Sequence, residues 1–77
     1  MDVRIGVTYS MREIELELDD QVDRDELKEH IAEALADDGK VLWMTDKSGR
    51  EIAIPSNKVA YLEIGHPAEQ RSIGFSV

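Results

Sequence analysis

Residues 13–39, EIELELDDQVDRDELKEHIAEALADDG, contain the change of hydrophobic period that decides the fold class. Up to Leu18, aliphatic residues alternate with glutamates, the period of a strand with one buried face. From Leu27 onward, the apolar residues recur every three or four positions, the period of an amphipathic helix. A strand that leads directly into one such helix, in a chain of 77 residues, predicts a single α+β domain over residues 1–77.

The helix has a clear start and an expected end. Asp23 is a favourable N-cap residue, and Glu26 follows at the spacing of a capping box. Gly39 is the residue expected just beyond the helix, in a conformation with positive φ. The sequence therefore predicts a helix from about Arg24 to Asp38.

The remaining chain returns to a period of two. The alternation predicts strands at residues 3–8, 13–18, 41–45, 51–54, 59–64 and 72–77. The expected order is ββαββββ, in a single, mostly antiparallel, twisted sheet with the helix packed on one face. A β-grasp-like arrangement is the first topology to consider, and a hairpin followed by a four-strand meander is the alternative.

Charge and composition exclude several classes of function. The formal net charge is −8 and the isoelectric point is near 4.5, whereas nucleic acids and anionic membranes bind basic surfaces. We therefore expect neither nucleic acid nor membrane as a partner. The chain has no cysteine and no apolar run of membrane-spanning length. Its N-terminus lacks a signal-peptide pattern, so we expect a cytoplasmic protein.

No motif for catalysis or ligand binding is present. The sequence contains neither a Walker-type nor a Rossmann-type glycine pattern. The carboxylates from Asp19 to Asp23 approach calcium-loop spacing, but Arg24 and His30 replace the required glycine and glutamate. The sequence therefore predicts no metal, no cofactor and no catalytic residues, and hence a protein that is not an enzyme.

Four acidic residues form a row at helical spacing, and two interpretations of it stay open. The row consists of Asp25, Glu29, Glu33 and Asp37. It is either a solvated outer face of the helix or a docking ridge for a basic partner.

Two predicted strands are apolar on both faces, which one helix cannot cover. Trp43 lies on the first of them, and Val59 and Tyr61 lie on the second. These residues belong either to the core or to an exposed patch of the open sheet face. The second interpretation predicts a homodimer with Trp43, Val59 and Tyr61 at the contact.

The chain resembles two known families. Residues 1–39 resemble the opening of ubiquitin-like β-grasp proteins. The motifs VAYLEIG at 59–65 and RSIGF at 71–75 make nearly the whole chain similar to short acidic actinobacterial proteins, the domain-of-unknown-function 3107 family. That resemblance implies that the protein comes from an actinobacterium and has the size typical of this family. It implies no activity and no site residues.

The preferred prediction is a non-enzymatic protein-interaction module that self-associates, with a protein partner of unknown identity. Some members of the family are described as ATP-binding. The alternative prediction is therefore a protein that binds a small molecule or a nucleotide such as ATP.

Overall fold

The structure, a computed structural model, describes residues 1–65 of the chain. Its elements in chain order are β1 (Asp2–Val7), β2 (Glu13–Glu17), α1 (Arg24–Leu35), β3 (Val41–Thr45), β4 (Glu51–Pro55), a 3₁₀ turn (Ser56–Lys58) and β5 (Val59–Ile64). The α+β class is confirmed, as are the positions of five predicted strands to within one residue at either end. The sixth predicted strand, at 72–77, lies outside the described residues.

The strands form two sheets in place of the predicted single sheet. The first has the order β2-β1-β5 and the second consists of β3 and β4, with every pairing antiparallel. After the 3₁₀ turn the chain leaves β4 and pairs with β1, where the carbonyl of Lys58 accepts a hydrogen bond from the Thr8 amide at 2.8 Å. The alternative meander is therefore wrong, and the described strands do not confirm a β-grasp order.

A shared core joins the two sheets to the helix. Its buried side chains come from β1, β2 with the residue that follows it, α1 and the β3–β4 hairpin: Val3, Ile5, Leu16, Leu18, Leu27, Ile31, Ala34, Leu42, Met44 and Ile54. Burying such a side chain stabilises a fold by about 1.5–3 kcal/mol. Within residues 1–65, no helix is long and apolar enough to cross a membrane.

The helix begins as predicted and ends earlier. One Asp23 carboxylate oxygen accepts hydrogen bonds from the amides of Asp25 and Glu26, at 2.9 and 3.0 Å. The helix stops at Leu35. The prediction of a helix to Asp38 closed by a positive-φ Gly39 was wrong.

A local turn explains the early end of the helix. The Asp37 carboxylate accepts the Gly39 amide at 2.9 Å, and the Asp37 carbonyl accepts the Lys40 amide. Side chains of aspartate compete in this way with helical hydrogen bonds. Two aspartates at the negative end of the helix dipole also disfavour its extension.

A second contact ties the helix end to the hairpin. Ser56 is a buried polar residue, and its hydroxyl donates a hydrogen bond of 2.5 Å to the carbonyl of Ala34. Its amide donates to the carbonyl of Lys40 at 2.9 Å. Carbonyls of the last helical turn need such partners, so Ser56 both caps α1 and fixes the start of the hairpin.

Asp46 organises the turn between β3 and β4. Its carboxylate accepts bonds from the hydroxyl and amide of Ser48 and from the amide and Nε of Arg50. These bonds, with the Ser48 hydroxyl first, hold the pKa of Asp46 below its usual value. A lowered pKa stabilises the fold above the unfolded pKa, and the contribution is lost as the pH falls through the folded pKa.

We predict that Asp23→Ala lowers the free energy of unfolding by about 0.5–2 kcal/mol, because two helical amides lose their acceptor. Chemical denaturation followed by circular dichroism measures this change. Glu33→Ala, which removes an exposed carboxylate from the other end of the same helix, is the matched control. Equal midpoints for Asp23→Ala and the wild type would contradict the capping role.

Candidate functional site

The outward face of the β3–β4 hairpin is apolar. The register pairs Val41 with Pro55 and Trp43 with Ala53, and all four side chains are exposed. Trp43 is 56% exposed and Val41 is 43% exposed. We call these four residues the outer strip. Single exposed apolar side chains are ordinary, whereas contiguous exposed apolar surface often marks an interaction site.

Strand alternation explains why the outer strip exists. Leu42, Met44 and Ile54 point inward and are buried, so their neighbours along each strand must point outward. Backbone hydrogen bonds between the two strands run from the Asp46 amide to the Arg50 carbonyl and from the Ser56 amide to the Lys40 carbonyl. The intervening pairs of the strip are therefore of the non-hydrogen-bonded type, in which cross-strand side chains come closest.

Two contacts hold the backbone under Trp43 in place. The carbonyl of Trp43 accepts a hydrogen bond of 2.9 Å from Nε2 of His30, which places the proton on that ring nitrogen. The Asp46 turn fixes the end of the hairpin, and the carbonyl of Glu17 accepts the Lys47 amide at 2.9 Å. The hairpin that carries the strip is thus hydrogen-bonded to both α1 and β2.

Tyr61 occupies the outer face of the other sheet. Its ring lies over Gly6, its cross-strand partner, and a Cβ atom at Gly6 would overlap the ring. The Tyr61 hydroxyl donates a hydrogen bond to a carboxylate oxygen of Glu13. Tyr61 is 51% exposed, and its ring covers a strand position that has no side chain of its own.

The bond to Glu13 changes the titration of Tyr61. It raises the pKa of the Tyr61 phenol above the ordinary value of 10.0, and desolvation and the carboxylate charges of Glu13 and Glu63 act in the same direction. A raised pKa means that this contribution to stability is complete below pH 10 and is lost as the pH rises through the folded value.

A bulge separates two of the residues predicted to share a contact face. Tyr61 pairs with Gly6, but Val59 pairs with Val7, so Ala60 is an extra residue in β5. The regular alternation of side chains between the two faces of β5 is therefore interrupted at Ala60. Val59 packs, partly buried, against the core, while Tyr61 faces outward. Trp43 lies on the other sheet, so the structure does not unite the three residues on one sheet face.

The acidic row is only partly helical. Asp25, Glu29 and Glu33 are exposed on α1, whereas Asp37 lies beyond the end of the helix and bonds to Gly39. Across residues 1–65, no three His, Cys, Asp or Glu side chains are grouped so that they could hold a metal ion. Whether the row serves as a docking ridge stays a prediction.

Sequence reasoning missed several contributors to these surfaces. Ala53 and Pro55 complete the outer strip, His30 fixes its backbone, and Gly6 accommodates Tyr61. Aligning residues 41–45 against 51–55 as a hairpin would have paired Trp43 with Ala53. No local signal identifies the contacts of His30 and Gly6, because their partners are distant in the chain.

We predict that Gly6→Ala lowers the free energy of unfolding by about 1–3 kcal/mol, because the new methyl group displaces the Tyr61 ring. In a Tyr61→Ala background the same change should instead stabilise the fold by about 0.5–1 kcal/mol, the usual advantage of Ala over Gly in a strand. Denaturation of the four proteins of this cycle measures the coupling. Equal losses in both backgrounds would show that the ring is not the constraint.

Comparison with known proteins supports the family resemblance. A family model described as "Protein of unknown function (DUF3107)" matches residues 1–76. No curated protein matches the chain. Because the family model covers almost the entire sequence, the chain belongs to the DUF3107 family.

Proposed function

We propose that this protein is a non-enzymatic protein-interaction module whose contact surface is the outer strip, and that it self-associates through this surface. The observation that carries the proposal is the exposure of Trp43 beside Val41, Ala53 and Pro55. Trp residues are among the side chains that contribute most to binding when they are buried at the centre of an interface.

The charge distribution supports association through the hairpin. Residues 1–39, which supply β1, β2 and α1, contain four Lys and Arg against thirteen Asp and Glu, a formal charge of −9, whereas residues 41–55, the β3–β4 hairpin, contain two against two, a charge of zero. Contact through the acidic part of two copies would be strongly repulsive. Contact through the outer strip brings together the nearly neutral parts and leaves the acidic parts apart.

The two β5 residues predicted with Trp43 have a secondary role in this proposal. The ring of Tyr61 is engaged by Gly6 and the hydroxyl by Glu13, while Val59 packs against the core. Trp43 makes no hydrogen bond through its indole among the described residues, so its side chain is available to a partner.

The alternative function is ATP binding. Phosphate groups commonly bind at the N-terminus of a helix, but the N-terminus of α1 is unfavourable for a phosphate. The amides of Asp25 and Glu26 already donate to the carboxylate of Asp23. Asp19 and Asp20 are exposed in the loop before it. A phosphate group would have to displace one carboxylate and approach several others, which electrostatic repulsion opposes.

We predict that the wild-type protein is a dimer and that Trp43→Ser makes it monomeric but still folded, since Trp43 lies outside the core; only the stability that association adds should be lost. Light scattering after gel filtration measures the mass. The emission of Trp43, the only tryptophan, should also shift to the blue as the protein concentration rises. Tyr9→Ser is the control, because Tyr9 is fully exposed in the loop between β1 and β2.

Salt provides a second measurement on the same dimer. Two copies with a net charge of −8 repel each other, so association should tighten when salt shortens the Debye length from about 30 Å at 0.01 M to about 8 Å at 0.15 M. A monomeric wild type at both salt concentrations would refute self-association. A dimer that survives in Trp43→Ser would refute the outer strip as its contact.

We predict that ATP does not bind specifically at millimolar concentration, because the acidic loop opposes phosphate at the helix N-terminus. Amide chemical shifts during an NMR titration with ATP test this expectation, and the magnesium salt of ATP should be tested in parallel. Localised shifts that saturate in the micromolar range would support the alternative function instead.

A further inference from the structure

We infer that the outer edge of β2 binds an extended segment of another protein, in which lysine or arginine alternates with apolar residues. The segment pairs with β2 as an added strand, the recognition mode known as β-strand addition. This edge belongs to the β2-β1-β5 sheet, whereas the outer strip lies on the other sheet. Binding at the edge therefore does not depend on self-association through the outer strip.

The backbone groups of alternate β2 residues point away from β1. The Leu18 amide donates to the Met1 carbonyl at 2.8 Å, and the Met1 ammonium group donates to the Leu18 carbonyl at 3.1 Å. Met1 and Leu18 thus form a hydrogen-bonded pair, and such pairs alternate with non-hydrogen-bonded pairs along an antiparallel ladder. The register puts Glu13, Glu15 and Glu17 at pairs of the second type, so their amides and carbonyls lie at the outer edge.

Lys47 occupies one end of this edge in the manner of an added strand. Its amide donates a hydrogen bond of 2.9 Å to the carbonyl of Glu17, and its ammonium group lies 3.2 Å from the Glu17 carboxylate. One residue thus supplies both a backbone bond and a positive charge. Within residues 1–65, β2 pairs with no strand other than β1. The amides and carbonyls of Glu13 and Glu15 are therefore open to a longer segment that repeats this pattern.

The face on which the β2 glutamates lie is acidic. By the strand register it carries five carboxylates and one guanidinium group, a formal charge of −4, from Asp2, Glu13, Glu15, Glu17, Glu63 and Arg4. Adding Lys47 and Arg12, the residue before β2, leaves a charge of −2. Opposite charges directly across a strand pair attract and like charges repel. The edge therefore disfavours a second copy of β2 and favours a basic strand.

Glu15 is the centre of this site. Its two neighbouring glutamates on the same face have partners, the Tyr61 hydroxyl and the Lys47 ammonium group. Arg4 is the cross-strand partner of Glu15, but it forms its ion pair with Glu63, at 3.1 Å. Within residues 1–65, the Glu15 carboxylate forms no ion pair. A lysine or arginine of the added strand, placed opposite Glu15, supplies one.

The inner face of β2 accounts for the apolar residues of the partner. Ile14 points inward between the first two glutamates and is only partly buried against the core, whereas Leu16, further along the strand, is buried. Every second side chain of an added strand points to this inner face. An apolar side chain there covers Ile14, and its removal from water favours the complex.

A short peptide in which three lysines alternate with three valines is the probe, added to the nitrogen-15-labelled protein. Amide hydrogen exchange at Glu13 and Glu15 should slow, because their amides gain acceptors. A peptide with the three lysines before the three valines has the same charge and composition, and it should bind about tenfold more weakly. Equal affinities would reduce the contact to general electrostatic attraction. Slow exchange at both amides in the protein alone would show that the edge is occupied. Either result would overturn the inference.

Variants separate this site from the outer strip. Glu15→Lys should weaken binding of the alternating peptide about tenfold relative to Glu33→Lys, an equal change of charge at an exposed position of α1. Glu15→Gln, which only removes the charge, should lie between the wild type and Glu15→Lys. Trp43→Ser should bind the peptide like the wild type, whatever its own oligomeric state.

The outcome that contradicts the site is the same affinity for Glu15→Lys and Glu33→Lys. The glutamates would then only protect an exposed edge against unwanted strand pairing, and the proposed function would be unaffected. Circular dichroism of each variant verifies folding.

Discussion

One three-turn helix has to cover the inner faces of two sheets, and the rest of the structure depends on that constraint. The apolar stripe of α1 contributes Leu27, Ile31 and Ala34 to the core, where strands from both sheets meet it. Alternation along each strand then sends every second side chain to the outside. The described part of the molecule therefore has two outward sheet faces, and their chemistry decides what each can do.

The two outward faces differ in composition. The three-stranded sheet presents the alternating glutamates of β2 together with Arg4 and Glu63, which form an ion pair at 3.1 Å. Tyr61 is the aromatic residue of this face, and Gly6 and Glu13 hold it in place. The hairpin presents the outer strip instead. A charged face favours solvent and repels another acidic copy, whereas an apolar face favours burial.

The outer strip combines exposure with a well-supported backbone. His30 bonds to the carbonyl of Trp43, Ser56 links the base of the hairpin to α1, and Asp46 closes its turn. In the proposed dimer, each copy would present a strip whose backbone is already held by hydrogen bonds, which lowers the entropic cost of binding. Strand alternation places the strip on the face opposite the core, so under the proposed function substitutions at Trp43 should affect association more than folding.

The sequence by itself determined the local features of this protein. Periodicity identified β3 and β5 with their observed bounds, and Asp23 was recognised as the helix cap, because alternation and capping involve residues close together in the chain. The motifs at 59–65 and 71–75 also identified the family. Alternation and a single predicted helix left Trp43 either in the core or exposed on the open sheet face, and the structure shows that it is exposed.

Only the tertiary structure decided how the strands associate. The division into two sheets, the bulge that separates Val59 from Tyr61, and the contact between Tyr61 and Gly6 depend on β5 pairing with β1, roughly fifty residues away in sequence. The end of the helix also has a tertiary contribution, because the hydroxyl of Ser56, 22 residues away in sequence, bonds to the carbonyl of Ala34 in its last turn. The alternation of side chains along a strand determines which of its residues share a face. Which strands pair with each other, when they are far apart in the sequence, depends instead on the whole core. That pairing decides which strand faces are exposed to solvent.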